Sequence, residues 1–179
     1  MRSAHWSEPS LLRAVSADLA NWQPEAQQGR LCLTLGPGVE VWVEARRQRL
    51  FMANLWRCEF SCAGPLAERA EGRVRAHQPG WWRRQPVRFT GRGARASALA
   101  CHLNHFPNLR QTLAELDYRQ FDLRMEGGAW RCVIEPWAAS EVACRLPPLR
   151  RYLRLTPHQR MLLLSVLKMV AEAMARFPR

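Results

Sequence analysis

Eight arginines stand between Gly72 and Ala114, a window with no aspartate or glutamate. They are Arg73, Arg75, Arg83, Arg84, Arg88, Arg92, Arg95 and Arg110, and Trp81, Trp82 and Phe89 are interleaved with them. Guanidinium groups contact phosphates, and exposed aromatic rings give unpaired bases a surface to stack on. Arg73, Arg75, Trp81, Trp82, Arg83, Arg84, Arg88 and Arg92 are therefore candidate polyanion-binding residues. No RNA- or DNA-binding signature accompanies them. The same stretch also fits a hairpin with a solvated arginine face and its tryptophans turned into the core.

A second cluster lies nearer the C-terminus. Trp137-Ala138-Ala139-Ser140-Glu141 is followed by Arg145, Arg150, Arg151 and Arg154. Glu141 can pair with an arginine across a strand as a structural ion pair. The sharper alternative is a polar pocket for an anionic group, built by Glu141, Arg145, Arg150, Arg151 and Arg154 between sheet and C-terminal helix.

Other chemistries are poorly provided for. Cys58 and Cys62, and Cys101 with His102 and His105, are residue types that zinc accepts. On one extended strand, however, Cys58 and Cys62 lie about 13 Å apart. None of His5, His77, His102, His105 and His158 sits in a recognisable arrangement with a nucleophile. No nucleophile elbow, P-loop or dinucleotide fingerprint occurs. The carboxylate pairs Glu40/Glu44 and Glu135/Glu141 could do acid–base work, but on strands they read first as solvated edge charges. Neither a cofactor nor a catalytic residue is expected.

The elements that must position these residues can be read in order. Leu11, Leu12, Val15 and Leu19 recur at helical spacing after a cap at Ser7, with Pro9 early in the helix. Gln27-Gln28-Gly29 reads as loop. Leu31 to Leu35 and Val39 to Val43 alternate as strands around Gly36-Pro37-Gly38. Arg46-Arg47-Gln48-Arg49 reads as a charged turn before a long strand from Leu50 to Cys62, and Gly64-Pro65 as punctuation. Two strands follow, at Arg73–His77 and Val87–Phe89, with Gln78-Pro79-Gly80 as the turn. Ala94 to Asn104 and a second piece from Leu109 to Leu116 read as helix, broken at Phe106-Pro107.

The last third carries the strongest signals. Gly127-Gly128 predicts a hairpin turn between Phe121–Met125 and Ala129–Glu135. Glu141–Leu146 is a further strand that Pro147-Pro148 must break or kink, because proline lacks the ladder donor. Arg150 to Leu155 resumes it, with Leu153 and Leu155 on one face and Arg150, Tyr152 and Arg154 on the other. Thr156-Pro157-His158-Gln159 predicts a capped helix start. The helix beyond it is apolar over more than half its circumference and must be covered, most simply by a sheet.

The run Glu135-Pro136-Trp137-Ala138-Ala139-Ser140-Glu141-Val142, then Arg145-Leu146-Pro147 and Arg150-Arg151-Tyr152-Leu153-Arg154-Leu155, resembles the C-terminal signature of an uncharacterised proteobacterial family of about this length. Cys144-Arg145-Leu146-Pro147 stands where that signature has Asn-Arg-Met-Pro. The resemblance implies a relative and brings no activity with it.

Length and composition bound the rest. The chain of 179 residues has room for one cored domain. Its halves, about 8–92 and 94–176, repeat a helix-plus-strands pattern that would suit a diverged duplication. The net charge is +12, and Lys168 is the only lysine among 27 basic residues. So extreme a bias toward arginine points to a GC-rich genome as much as to guanidinium chemistry. The start of the chain has no apolar signal-like run, so a cytoplasmic location with six reduced cysteines is expected. The fold expected is α+β, an antiparallel sheet packed against helices, with a long C-terminal helix. The leading functional expectation is a non-enzymatic domain that binds a protein partner or small ligand between sheet and helices. The alternative is nucleic-acid or polyanion binding through the Arg/Trp surface.

Overall fold

The computed structural model describes residues 8–78 and 86–178. Ser7, Pro79 and Gly80, to which the sequence assigns a cap and part of a turn, lie outside the described residues. Among those described, the chain runs α1 (Glu8–Asp18), a 3-10 turn (Ala20–Trp22), β1 (Glu25–Gln27), β2 (Arg30–Gly36), β3 (Val39–Arg49) and β4 (Ala53–Pro65). It continues through β5 (Gly72–His77), β6 (Arg88–Gly91), α2 (Ala94–Asn104), α3 (Pro107–Glu115), β7 (Tyr118–Glu126) and β8 (Ala129–Pro136). It ends with β9 (Ser140–Cys144), β10 (Leu149–Leu153) and α4 (Pro157–Ala175). This is the expected α+β class, with more strand than helix.

The ten described strands form one antiparallel sheet with β4 at its centre. The first part of β4, Ala53–Arg57, pairs with β9, and its second part, Phe60–Pro65, pairs with β8. The partner changes at Cys58, whose N–H donates to the Ala139 carbonyl (3.2 Å) at the corner between β8 and β9. The sheet therefore forks. One arm runs β4-β8-β7-β5-β6, the other β4-β9-β10, and β3, β2 and β1 lie on the far side of β4.

The two faces differ because side chains alternate along each strand. Val74, Leu123, Cys132 and Cys62 fall in one row across β5, β7, β8 and β4. Phe121, Ile134, Phe60, Val43 and Leu31 make the next row on the same face. All are buried and belong to one core with the apolar sides of the helices. From α4 that core takes Leu163, Leu164, Val166, Leu167, Val170, Ala173 and Met174, and burying a side chain of this kind is worth roughly 1.5–3 kcal/mol. Gly91 lets α2 close onto β6: a Cβ there would stand 2.5 Å from the Ala96 carbonyl oxygen.

Most local signals act as read. Gly127 and Gly128 take positive φ values of 61° and 84° in a two-residue turn, with Glu126 facing Ala129. The Thr156 hydroxyl accepts from the Gln159 N–H (3.2 Å), capping α4. The Gln159 side chain does not complete a capping box. It accepts from the Asp117 N–H (2.9 Å) and donates to the Glu115 carbonyl, tying α4 to the end of α3.

Four readings need correction. Arg46–Arg49 is strand, not turn, because it pairs with Asn54–Arg57 of β4, which brings partners alongside: Arg46 bonds Glu44 and Glu59, and Arg47 bonds Asn54 and lies 5.3 Å over Trp56. The turn falls instead on Leu50–Met52, leaving Phe51 96% exposed. Gln27 closes the short strand β1, and the long strand β4 spans Ala53–Pro65, not Leu50–Cys62, with Gly64-Pro65 ending it. Arg150–Leu153 does not extend β9 but folds back to pair with it, so Arg150 and Tyr152 face α1, while Leu153 is exposed.

Candidate anion-binding surface

The face of β5–β8 opposite the core is built on arginine. Thr90, Arg75 and Asp122 form one row across β6, β5 and β7. Arg73, Arg124 and Arg131 form the next across β5, β7 and β8. Asp122 is buried between two guanidinium groups: Arg73 bonds one carboxylate oxygen and Arg124 the other at 2.7 Å. Arg75, directly opposite Asp122 in the register, is left with no carboxylate among the described residues, and so are Arg88 and Arg92. Arg73, Arg75, Thr90, Gly91 and Arg92 line a half-open cavity of about 450 Å³ on this face. It can present guanidinium forks and a hydroxyl to one anionic group.

Trp81, Trp82, Arg83 and Arg84 lie outside the described residues. Arg95 and Arg110 serve the fold. Arg110 donates to the Val87 carbonyl (2.7 Å), and Arg95 bonds the Pro178 carbonyl and lies 4.8 Å over the Phe177 ring.

Toward the middle of the sheet the same face becomes balanced. Glu135 is buried and accepts two bonds from Arg119 (2.5 and 2.7 Å), with Arg57 at 3.3 Å. The hydrogen bond to Glu135 holds Arg119 further toward its charged form. Glu44 lies among Arg30, Arg46 and Arg131. Glu135 is thus separated from Glu141, which points to the helix side of the sheet.

There, Glu141 accepts from Arg150 at 2.6 and 2.9 Å, and Arg150 also reaches the Ser10 hydroxyl of α1. Asp18, at the end of α1, is 1% exposed. It accepts from Tyr152 (2.8 Å), from Arg154 (2.8 and 3.1 Å) and from the Leu155 N–H (3.2 Å). Arg160 of α4 bonds the Asp18 carbonyl. Burial, with the bond to Asp18 second, raises the Tyr152 phenol well above its ordinary value. The structure thus joins Glu141 to Arg150, and Arg154 to Asp18, while Arg145 and Arg151 are exposed and outside both groups. Sequence reasoning missed the role of Asp18 because its partners lie more than 130 residues away.

The residues considered for metal binding are dispersed. Cys58 and Cys62 are buried in the core, and burial raises the Cys58 thiol. His102 bonds the Ala173 carbonyl (2.9 Å) and His105 the Cys101 carbonyl (2.7 Å). Among the described residues, no three His, Cys, Asp or Glu gather closely enough to hold a metal ion. A second cavity, of about 490 Å³, opens between α1 and the β1–β3 edge over Leu12, Leu31 and Ala45, with Arg13, Arg30 and Arg46 in its wall. No described helix is long and apolar enough to cross a membrane.

The chain belongs to the family described as "Protein of unknown function (DUF3156)", whose model matches residues 17–174. This agrees with the resemblance to an uncharacterised family. No curated protein and no solved structure matches the chain.

Proposed function

We propose that this member of the DUF3156 family is a non-catalytic binding domain that holds the phosphate backbone of a nucleic acid on the outer face of β5–β8. The reading rests on the cavity between Arg73, Arg75 and Arg92, because two of those guanidinium groups have no counter-charge among the described residues. Unneutralised arginines side by side repel one another, and a bound phosphate relieves that repulsion while accepting bidentate bonds. Arg88, exposed on the same face one step along β6, extends the basic track. The net charge of +12 favours encounter with any polyanion.

Fluorescence anisotropy with labelled single-stranded RNA and DNA tests this. Three phosphate contacts, by Arg75, Arg88 and Arg92, predict a log–log salt slope of about −2, since each contributes about 0.7 on a single strand. Affinity should therefore fall about fifteenfold between roughly 50 and 200 mM salt. In the Arg75→Ser/Arg92→Ser variant, binding should weaken and the slope should shrink to about −0.7. Affinity and slope unchanged in that variant would remove the face from consideration.

A further inference from the structure

We propose that the adjoining tips of the β3–β4 and β9–β10 hairpins dock this protein on an anionic lipid bilayer. Leu50, Phe51 and Met52 form the first tip, at 47, 96 and 42% exposure. Leu146 and Leu149 flank Pro147-Pro148 in the second, at 73 and 56%. The tips are held together. Arg145 N–H donates to the Met52 carbonyl (2.9 Å), and Ala53 pairs with Cys144 where β4 begins and β9 ends. Five large apolar side chains therefore share one end of the β4-β9-β10 arm, away from the β5–β8 face.

Such a concentration of exposed apolar side chains marks a contact surface, and its surroundings select the partner. Arg49, Arg145 and Arg151 are exposed around it, with no carboxylate among the described residues. No acidic residue occurs between Glu44 and Glu59 or between Glu141 and Glu172. The collar is thus of one sign. A second copy of this chain would bring these collars together and repel. Phe51 stands clear of the fold and makes no recess of its own, so a protein partner would have to supply a matching pocket. An anionic bilayer needs no such match. Its headgroups neutralise arginines at the surface, and its acyl boundary accepts apolar side chains to a depth of about 5–10 Å.

Flotation with phosphatidylcholine vesicles, and with vesicles in which phosphatidylglycerol is the minor lipid, tests the proposal. The intact chain should float with the mixed vesicles, at least about tenfold more tightly than with phosphatidylcholine alone, given about fivefold per arginine at the surface. Phe51→Ser/Leu146→Ser changes only exposed side chains, so its circular dichroism should match the parent. Its binding should drop at least about tenfold, the apolar contribution having gone. Arg49→Glu/Arg145→Glu should abolish the preference for phosphatidylglycerol. Trp137→Ser, which removes a 57% exposed apolar side chain elsewhere, should change nothing. The proposal is overturned by failure to bind mixed vesicles. It is equally overturned by binding that survives Phe51→Ser/Leu146→Ser, which would be adsorption of the basic surface at large. A concentration-dependent dimer that Phe51→Ser dissolves, without vesicle binding, would make the tip a self-interface and refute it too.

Discussion

Replacing Asp18 with asparagine isolates the junction between α1, β10 and α4. The carboxylate accepts from the Tyr152 hydroxyl at 2.8 Å and the Leu155 N–H at 3.2 Å, both shielded from water, and from Arg154, whose side chain is 72% exposed. The Arg154 bond is largely replaced by water when lost and adds little. The other two are hydrogen bonds to a charged group, worth about 1.5–3 kcal/mol each. Tyr152 and Leu155 share one carboxylate oxygen and Arg154 takes the other, so asparagine keeps its amide oxygen toward the two shielded donors and turns its NH2 toward the exposed Arg154. Two bonds to a charged acceptor become neutral ones, weaker by about 1 kcal/mol each, a loss of about 2 kcal/mol. For a chain of this size that lowers Tm by about 4–8 °C. Thermal and urea unfolding should both show it, with the urea m-value unchanged. Arg154→Ala should move Tm by only a small fraction of that amount. In a double-mutant cycle, Asp18→Asn and Tyr152→Phe should couple, because both act on the same bond. The reasoning fails if Asp18→Asn is nearly silent, or if Arg154→Ala costs as much.

The chain has two tyrosines, and burial pushes Tyr118 up to about 12 and Tyr152 higher still. Unfolded tyrosines ionise near pH 10, so above that pH the unfolded chain sheds phenolic protons that the folded chain keeps. Stability should be full below about pH 10 and fall as pH rises through about 12; tyrosinate absorbance rising near pH 10 in the native protein would contradict this. At pH 8 a thiol reagent should modify Cys101, which is exposed, well before Cys58 and Cys132, which burial holds in the unreactive protonated form; mass spectrometry of the first adduct decides it. Gly91→Ala should cost about 1–3 kcal/mol in urea unfolding, because the added methyl meets the Ala96 backbone and cannot be relieved by a side-chain rotation; an unchanged midpoint would show that α2 packs less closely on β6 than described.

Where residues act on near neighbours in the chain, the sequence alone was enough. Gly127-Gly128 supplies the positive φ that a two-residue hairpin turn needs. Thr156 reaches an N–H three residues away. The apolar stripe of α4 demands a cover wherever the rest of the chain goes. The α+β class follows from the succession of such signals. Register and partner choice were decided in three dimensions. Arg46 and Arg47 look like a turn until β4 brings Glu59, Asn54 and Trp56 alongside. Glu141, Arg150 and Arg154 look like one cluster, yet Ser10 and Asp18, from the other end of the chain, divide them into two groups. Arg73 and Arg75 are indistinguishable in sequence; Asp122 takes the first and leaves the second without a carboxylate among the described residues only because β7 lies beside β5. Local conformation depends on torsions and short-range bonds, which a sequence displays. Which charges are neutralised depends on a few ångströms between distant segments, which only the packed sheet sets.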